Sequence, residues 1–324
     1  MNSSRWLAST MAVFCLARIA SAEEAVYPNK PINVVIGSSA GSAVEFETRV
    51  ISEAFVKRGW PALLADLRPG AMGGIGATAV YRAKPDGYTL LFSPASPMVF
   101  NPVTHKTLTY DPLKMTPVIL VGEQPLVLVT RGDFPGKTLE DLVAYAKANP
   151  GKTYYSSPGI GGGNHMSTLL LAKYTGMDVK HVPFQGAGPA VQALLRGEVD
   201  FAIISMSSLL TWYRDGKLKF LAIGSKQRSG DAPEVPTFRE LGYPEEFVLT
   251  AWRVLVGPPE MPAPIAGTLN KMINTIYEDP DVRERFRKLG VEAGGGTPQD
   301  VGAMLKREAA TWERVARENN IEKE

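Results

Sequence analysis

The stretch Ile32-Asn33-Val34-Val35-Ile36-Gly37-Ser38-Ser39-Ala40-Gly41-Ser42 decides the fold. Its first five residues are almost all apolar and β-branched, which is typical of a strand buried on both faces. Small residues follow, and the apolar spacing of 44–56 then predicts a helix. A buried strand, a short loop and a helix form the repeating unit of an α/β protein with a mainly parallel sheet.

The same order of elements recurs from end to end of the chain. Two further glycine-rich loops, at 159–163 and 185–189, separate predicted strands from predicted helices. Since the carboxyl ends of parallel strands meet at one edge of a sheet, these loops should line a common crevice. The apolar runs 117–121 and 126–130 predict two more strands, and no low-complexity linker occurs. We therefore expect the chain to pass between lobes as strands.

Length and composition exclude several classes of protein. The chain has 324 residues, with 35 Lys and Arg against 33 Asp and Glu, and 44% of it is hydrophobic. That apolar fraction is too high for a disordered chain, and a net charge of +2 argues against a nucleic-acid partner. A single core of this size usually divides, so two lobes are expected.

Residues 1–22 are predicted to be a secretory signal peptide that is cleaved after Ala22. Arg5 supplies the positive start, an apolar stretch follows, and 20–22 reads Ala-Ser-Ala, a typical cleavage signature. A disordered N-terminal tail is the alternative. The only cysteine, Cys15, would leave with this segment, so the exported protein would contain no disulfide.

The first loop allows three interpretations. The run 37–41 matches G-x-S-x-G, which would make Ser39 the nucleophile of a serine hydrolase. The triad order argues against this, because the histidines are His105, His165 and His181 and none follows late in the chain. The second interpretation is a plain tight turn. The third is an anion site, since backbone N–H groups at the start of a helix are unpaired.

The glycine loop at 159–163 leads into Asn164 and His165. Its bare N–H groups would cradle a carboxylate, with Asn164 capping the helix; a mobile surface turn is the alternative. His165 is either a ligand contact or a helix-start residue. No Walker loop, C-x-x-C, H-E-x-x-H or EF-hand pattern occurs, so we expect no cofactor and no metal ion. Donors without a catalytic base favour a binding site over an enzyme.

Four motifs resemble those of one transporter family. They are Tyr27-Pro28-Asn29-Lys30-Pro31-Ile32, Arg68-Pro69-Gly70-Ala71-Met72-Gly73-Gly74-Ile75-Gly76-Ala77, Lys84-Pro85-Asp86-Gly87-Tyr88-Thr89-Leu90 and His181-Val182-Pro183-Phe184-Gln185-Gly186-Ala187-Gly188-Pro189-Ala190. On these residues the chain resembles the periplasmic substrate-binding proteins of tripartite tricarboxylate transporters, the Bug family. The resemblance implies a two-lobed, type II-like periplasmic binding fold in which each lobe is a mainly parallel sheet flanked by helices. Lobe 1 would be 27–124 and 247–324, and lobe 2 would be 125–246.

The function that this resemblance implies is solute capture without catalysis. A monomeric receptor in the periplasm would close on a small organic carboxylate and then dock on the subunits of a membrane permease. A ligand-sensing partner of a two-component kinase would use the same closed form, so that alternative stays open.

Carried over by position, the resemblance places the ligand between loops of both lobes. The residues expected to bind it are Ser38, Ser39, Gly41, Ser42, Glu45, Ser93, Ser96, Ser156, Pro158, Gly161, Gly162, Asn164, His165, Gln185, Gly186, Ser205 and Arg253. The chain departs from the usual family pattern by placing Glu45 where an Asp is common and glycine at 162 and 163. These departures make the site less polar, which favours a carboxylate with an apolar or aromatic body over citrate or an amino acid. Arg253 is either a second carboxylate clamp or a solvated side chain at the lobe edge.

Overall fold

A computed structural model describes residues 27–321 and 323, so the predicted signal peptide lies outside the described residues. Its strands are β1 (Ile32–Ile36), β2 (Leu63–Leu67), β3 (Thr89–Pro94), β4 (Met115–Arg131), β5 (Thr153–Ser157), β6 (Val179–Pro183), β7 (Phe201–Ser205), β8 (Leu218–Ile223), β9 (Thr250–Pro259) and β10 (Glu292–Gly295). Its helices are α1 (Ala43–Lys57), α2 (Gly74–Tyr81), α3 (Asn101–Thr104), α4 (Leu139–Ala148), α5 (Gly163–Thr175), α6 (Ala187–Leu195), α7 (Leu210–Arg214), α8 (Ala263–Tyr277), α9 (Pro280–Lys288) and α10 (Pro298–Glu318). No helix within this part of the chain combines the length and the apolar character needed to cross a bilayer.

The strands form one curled sheet with two halves. The order is β2-β1-β3-β9-β4-β7-β5-β6, and β8 and β10 both pair with β4. In the first half β1 pairs in parallel with β2 and β3, and in the second half β5 pairs in parallel with β6 and β7. The pairings of β4 and β9 between these groups are antiparallel. The α/β architecture expected from the sequence is confirmed, and its parallel strands lie in two separate groups.

Strand β4 joins the two halves. The runs 117–121 and 126–130 are parts of one strand of 17 residues, not two strands. Up to Pro125 this strand pairs with β9, and from Leu126 onward it pairs with β7 and β8. The sequence obscures this continuity because Gly122 and Pro125 interrupt the apolar run, and proline in a central strand normally argues against one.

Helices cover both faces of the first half. On one face α1, α8 and α9 pack together over β1, with Phe55, Ile273 and Phe286 buried between them. On the other face α2 and α10 pack on the sheet through Val80, Leu305 and other apolar residues. Helix α10 also contacts α5 of the second half. It therefore lies beside the junction of the two halves.

Candidate ligand-binding site

A cavity of about 310 Å³ lies where the two halves of the sheet meet. Its wall includes the loop after β1, the turn after β3, the start of α5 and the end of β7. The predicted site residues that line it are Ser38, Ser42, Ser96, Asn164, Ser205 and Arg253. A larger groove of about 570 Å³ runs along α10, but none of the predicted residues lines it. The cavity between the halves is therefore the candidate site.

The first loop is closed by its own side chains. Ser42 caps α1 by accepting a hydrogen bond from the Glu45 backbone N–H. The Glu45 carboxylate accepts the Gly41 N–H at 2.8 Å and lies 3.3 Å from Arg49. Gly41 has a φ of +79°, which glycine adopts without strain. Glu45 thus stabilises the loop and does not line the cavity.

Ser39 lies on the exposed side of this loop, away from the cavity lining. Within the described residues it has no hydrogen bond to a histidine, so the geometry gives the serine-hydrolase interpretation no support. The same part of the chain contains no group of three or more side chains that could hold a metal ion.

The glycine loop before α5 reaches the cavity at its end, where Gly163 lines the wall. Gly162 occupies the N-cap position and has no side-chain cap, so the first N–H groups of α5 are left without an intrahelical partner. The expectation that Asn164 caps this helix is wrong: its amide donates to the Ile203 carbonyl at 2.7 Å and ties α5 to β7. A Cβ on Gly163 would lie 3.1 Å from the ring of Phe100 in the first half. The loop therefore approaches the first half closely.

His165 supports this loop from behind. Its Nδ1 accepts the Gly161 N–H at 3.0 Å, and its ring stacks on His181 with centroids 4.1 Å apart. His181 in turn stacks on Tyr155 and shares a 2.7 Å hydrogen bond with Ser157. Burial lowers the pKa of both histidines to about 4. Both are neutral at neutral pH, and neither lines the cavity, so of the two interpretations the geometry supports a structural role for His165.

Several other predicted residues are engaged elsewhere. Ser93 and Ser156 are fully buried, and their hydroxyls donate to the carbonyls of Pro94 and Ala190. The Pro158 carbonyl accepts the Gly186 N–H at 3.1 Å, which links the two glycine loops. The predicted residues that do not line the cavity are Ser39, Gly41, Glu45, Ser93, Ser156, Pro158, Gly161, Gly162, His165, Gln185 and Gly186.

Arg253 is buried at the cavity wall, so the solvated interpretation is wrong. Its Nε lies 3.1 Å from Oε1 of Glu47, a residue of α1 with no exposed surface that the sequence analysis missed. Its other nitrogens donate to Gln124 and to the Ala251 carbonyl, both at 3.3 Å. Gln124 also accepts from Ser205 at 3.4 Å. A polar chain therefore runs from α1 through β9 and β4 to β7.

The Glu47 carboxylate is poorly compensated. Apart from the ion pair, neither of its oxygens receives a hydrogen bond of regular geometry from a described residue. Burial raises its pKa to about 7, and the opposing charge of Arg253 lowers it again in part. Glu47, the charged partner of Arg253 among the described residues, is therefore a carboxyl whose ionised form burial disfavours.

The opposite wall is aromatic and acidic. Phe100, Trp252 and Trp312 line it, and the Phe100 and Trp312 rings lie 5.3 Å apart. Glu308 of α10 accepts hydrogen bonds from Trp312 at 2.8 Å and from Trp252 at 3.4 Å. Burial raises the pKa of Glu308, and the two indole hydrogen bonds oppose that rise. The sequence analysis missed this wall, although a Glu one turn before a buried Trp on an amphipathic helix was an available signal.

Comparisons with known proteins agree with this geometry. The family model for a tripartite tricarboxylate transporter family receptor matches residues 48–321. BugT of Bordetella pertussis is 34% identical over 321 residues, covering 98% of each chain. The solved periplasmic binding protein BugD is 29% identical with a TM-score of 0.72, over 92% of this chain and 100% of that chain. MatC of Rhodopseudomonas palustris, solved with bound malate, is 32% identical with a TM-score of 0.71, over 89% of this chain and 99% of that chain.

Proposed function

The chain belongs to the family of tripartite tricarboxylate transporter receptors, and we propose that it captures a small organic carboxylate in the periplasm and delivers it to the subunits of a membrane permease. In this proposal the chain is exported, cleaved after Ala22, and acts as a monomer without catalysis. The malate bound by MatC is one carboxylate that a similar protein holds.

The observation that carries the proposal is the position of Arg253. Its guanidinium lies at the wall of a cavity that loops from both halves enclose, and it has only a buried, poorly compensated carboxylate as its charged partner. Ser38, Ser42 and Ser96 line the same cavity, and the uncapped start of α5 supplies unpaired N–H groups. An arginine and a helix start are both favourable for an anion.

The body of the ligand faces apolar side chains. Leu126, Val248 and Leu249 line the cavity together with the aromatic wall. Such a lining favours a carboxylate with an apolar or aromatic body, because burial of its apolar surface adds to the affinity.

Closure of the two lobes would present the loaded state to the permease. We place lobe 1 at 27–124 and 247–324 and lobe 2 at 125–246, because β4 changes its partners from β9 to β7 and β8 between Pro125 and Leu126. The return crossing comes just before β9, which begins at Thr250.

Thermal-shift titration tests the proposal directly. A chain that begins at Glu23 is titrated with benzoate, phenylacetate, hexanoate, malate and citrate, and with benzamide and hexanamide as uncharged controls. The acids with apolar bodies should raise the melting temperature and the amides should not. Stabilisation by citrate with none by the apolar acids would reject the assignment of the body, and stabilisation by no carboxylate would overturn the proposed function.

A further inference from the structure

Two adjacent residues of β9 lie at different walls of the cavity, and these two walls carry groups of opposite charge. Arg253 faces α1, where it pairs with Glu47, whereas the neighbouring Trp252 faces α10, where it donates to Glu308. Successive side chains of a strand point to opposite faces, so this strand presents Arg253 and Trp252 to different walls of the same cavity. Arg253 at the basic wall would bind the ligand carboxylate. The role of Glu308 at the acidic wall has still to be explained.

Glu308 is oriented by the protein and still has capacity to accept. Both indole N–H groups reach Oε2, and no described residue donates to Oε1. Burial raises the pKa of Glu308, and the two indole hydrogen bonds oppose that rise because they favour the charged form. A cationic group beside Glu308 would favour its charged form further. Aromatic rings beside a carboxylate also attract a cation, through the negative face of each ring.

A second ligand carboxylate at this wall would lie beside the Glu308 carboxyl in a partly buried site, where two charged carboxylates repel each other and neither can donate unless one takes up a proton. A hydroxyl or ammonium group would instead donate to Oε1 and lie against the indole rings.

We infer that the ligand is a carboxylate whose opposite end carries a hydrogen-bond donor, most favourably an ammonium group, which Glu308 accepts between Trp252 and Trp312. This inference rests on the proposed function, since it assigns the second end of the same ligand. It names an ω-amino or ω-hydroxy monocarboxylate as the class and disfavours dicarboxylates of equal length.

Three probes of equal chain length test it: 6-aminohexanoate, hexanoate and adipate, which differ only at the end opposite one carboxylate. Affinities are measured by titration calorimetry on the chain from Glu23, at neutral pH. Wild-type protein should bind 6-aminohexanoate at least about tenfold more tightly than hexanoate and adipate, because a hydrogen bond to a charged group contributes about 1.5 kcal/mol or more.

The substitution Glu308→Gln keeps an oxygen acceptor for the indoles and removes the charge. It should reduce the affinity for 6-aminohexanoate about tenfold or more, abolish the discrimination against adipate, and leave hexanoate unchanged. Glu313→Gln is the matched control, since Glu313 is exposed on the same helix and should alter none of the three affinities. Unchanged hexanoate binding shows that the variant is folded; if it does not fold, the ranking in the wild-type protein decides alone.

The outcomes separate this inference from the proposed function. If all three acids bind with equal affinity, or adipate binds most tightly, the inference is wrong and carboxylate capture stands. If Glu308→Gln retains the full preference for 6-aminohexanoate, Glu308 does not accept the donor. If no carboxylate stabilises the protein, the proposed function itself fails.

Discussion

Comparison of Arg253→Met with the double variant Glu47→Leu/Arg253→Met should distinguish the contribution of Arg253 to stability from its contribution to ligand binding. The single substitution leaves the Glu47 carboxylate buried with no charged partner, because its oxygens receive no other regular hydrogen bond from the described residues. At about pH 9, above the pKa of about 7 that Glu47 has beside Arg253, loss of one partner of this buried ion pair costs about 3–5 kcal/mol. At roughly 2 °C per kcal/mol for a chain of this size, the melting temperature should fall by about 6–10 °C.

The double variant Glu47→Leu/Arg253→Met removes both charges together. Replacement of a buried ion pair by apolar residues of similar volume is often neutral, so most of the lost stability should return, to within about 1–2 kcal/mol of the wild-type protein. Binding should not return, because the group that would hold the ligand carboxylate is still absent. Urea unfolding gives the stability, and calorimetry with the most stabilising acid of the thermal-shift panel gives the affinity.

Two results would contradict this reasoning: one concerns the ion pair between Glu47 and Arg253, and the other concerns ligand binding by Arg253. Wild-type stability of Arg253→Met would mean that Glu47 is protonated or solvated without Arg253. Wild-type affinity in the folded double variant would mean that Arg253 does not clamp the ligand, and would leave the helix starts and hydroxyls as the anion site.

Three shorter predictions concern the loops. Ser38→Asp should weaken carboxylate binding at least about tenfold by like-charge repulsion at the cavity wall, whereas Ser39→Asp on the exposed side of the same loop should not; equal losses in calorimetry would contradict this placement. Gly163→Val should hinder the approach of the loop to Phe100. Small-angle X-ray scattering with saturating ligand should then show no decrease in the radius of gyration, while the free energy of unfolding in urea changes little. A decrease equal to that of the wild-type protein would refute this prediction. Because burial lowers the pKa of His165 to about 4, only the unfolded chain takes up that proton as the pH falls from 6.5. The free energy of unfolding should therefore fall by about 3 kcal/mol more between pH 6.5 and 4 in wild type than in His165→Gln. Urea titrations in which the two free energies fall equally with pH would contradict this.

The sequence predicts those parts of the fold that depend on local pattern. Strand β1, the loop after it and helix α1 follow directly from a buried apolar run, small residues and helical spacing. The long β4 does not, because Gly122 and Pro125 obscure a strand whose continuity depends on partners far away in the chain. Pairing with β9 on one side of Pro125 and with β7 and β8 on the other is a tertiary property that periodicity does not encode.

The candidate site divides in the same way. Residues at strand ends, such as Ser38, Ser96 and Ser205, could be predicted because the carboxyl ends of strands meet at one edge of a sheet. Sequence position alone misplaced Ser93 and Ser156, whose hydroxyls turn toward backbone carbonyls in the interior. Which way a side chain points at a strand end depends on the layer packed against it, and the sequence pattern does not specify that layer.

The hydrogen-bonding partners of Arg253 connect the candidate site with the part of β4 that passes between the two halves of the sheet. Gln124 accepts from Arg253 and from Ser205, and it lies on β4 immediately before the residue at which that strand changes partners. We expect a ligand carboxylate that draws Arg253 away from Glu47 to alter the contacts of Gln124 on this strand as well. Two buried groups with imperfect partners are costly in a static protein. We expect such groups to let a ligand carboxylate at the cavity wall shift the balance between two arrangements of the halves, because it would replace an imperfect partner of Arg253.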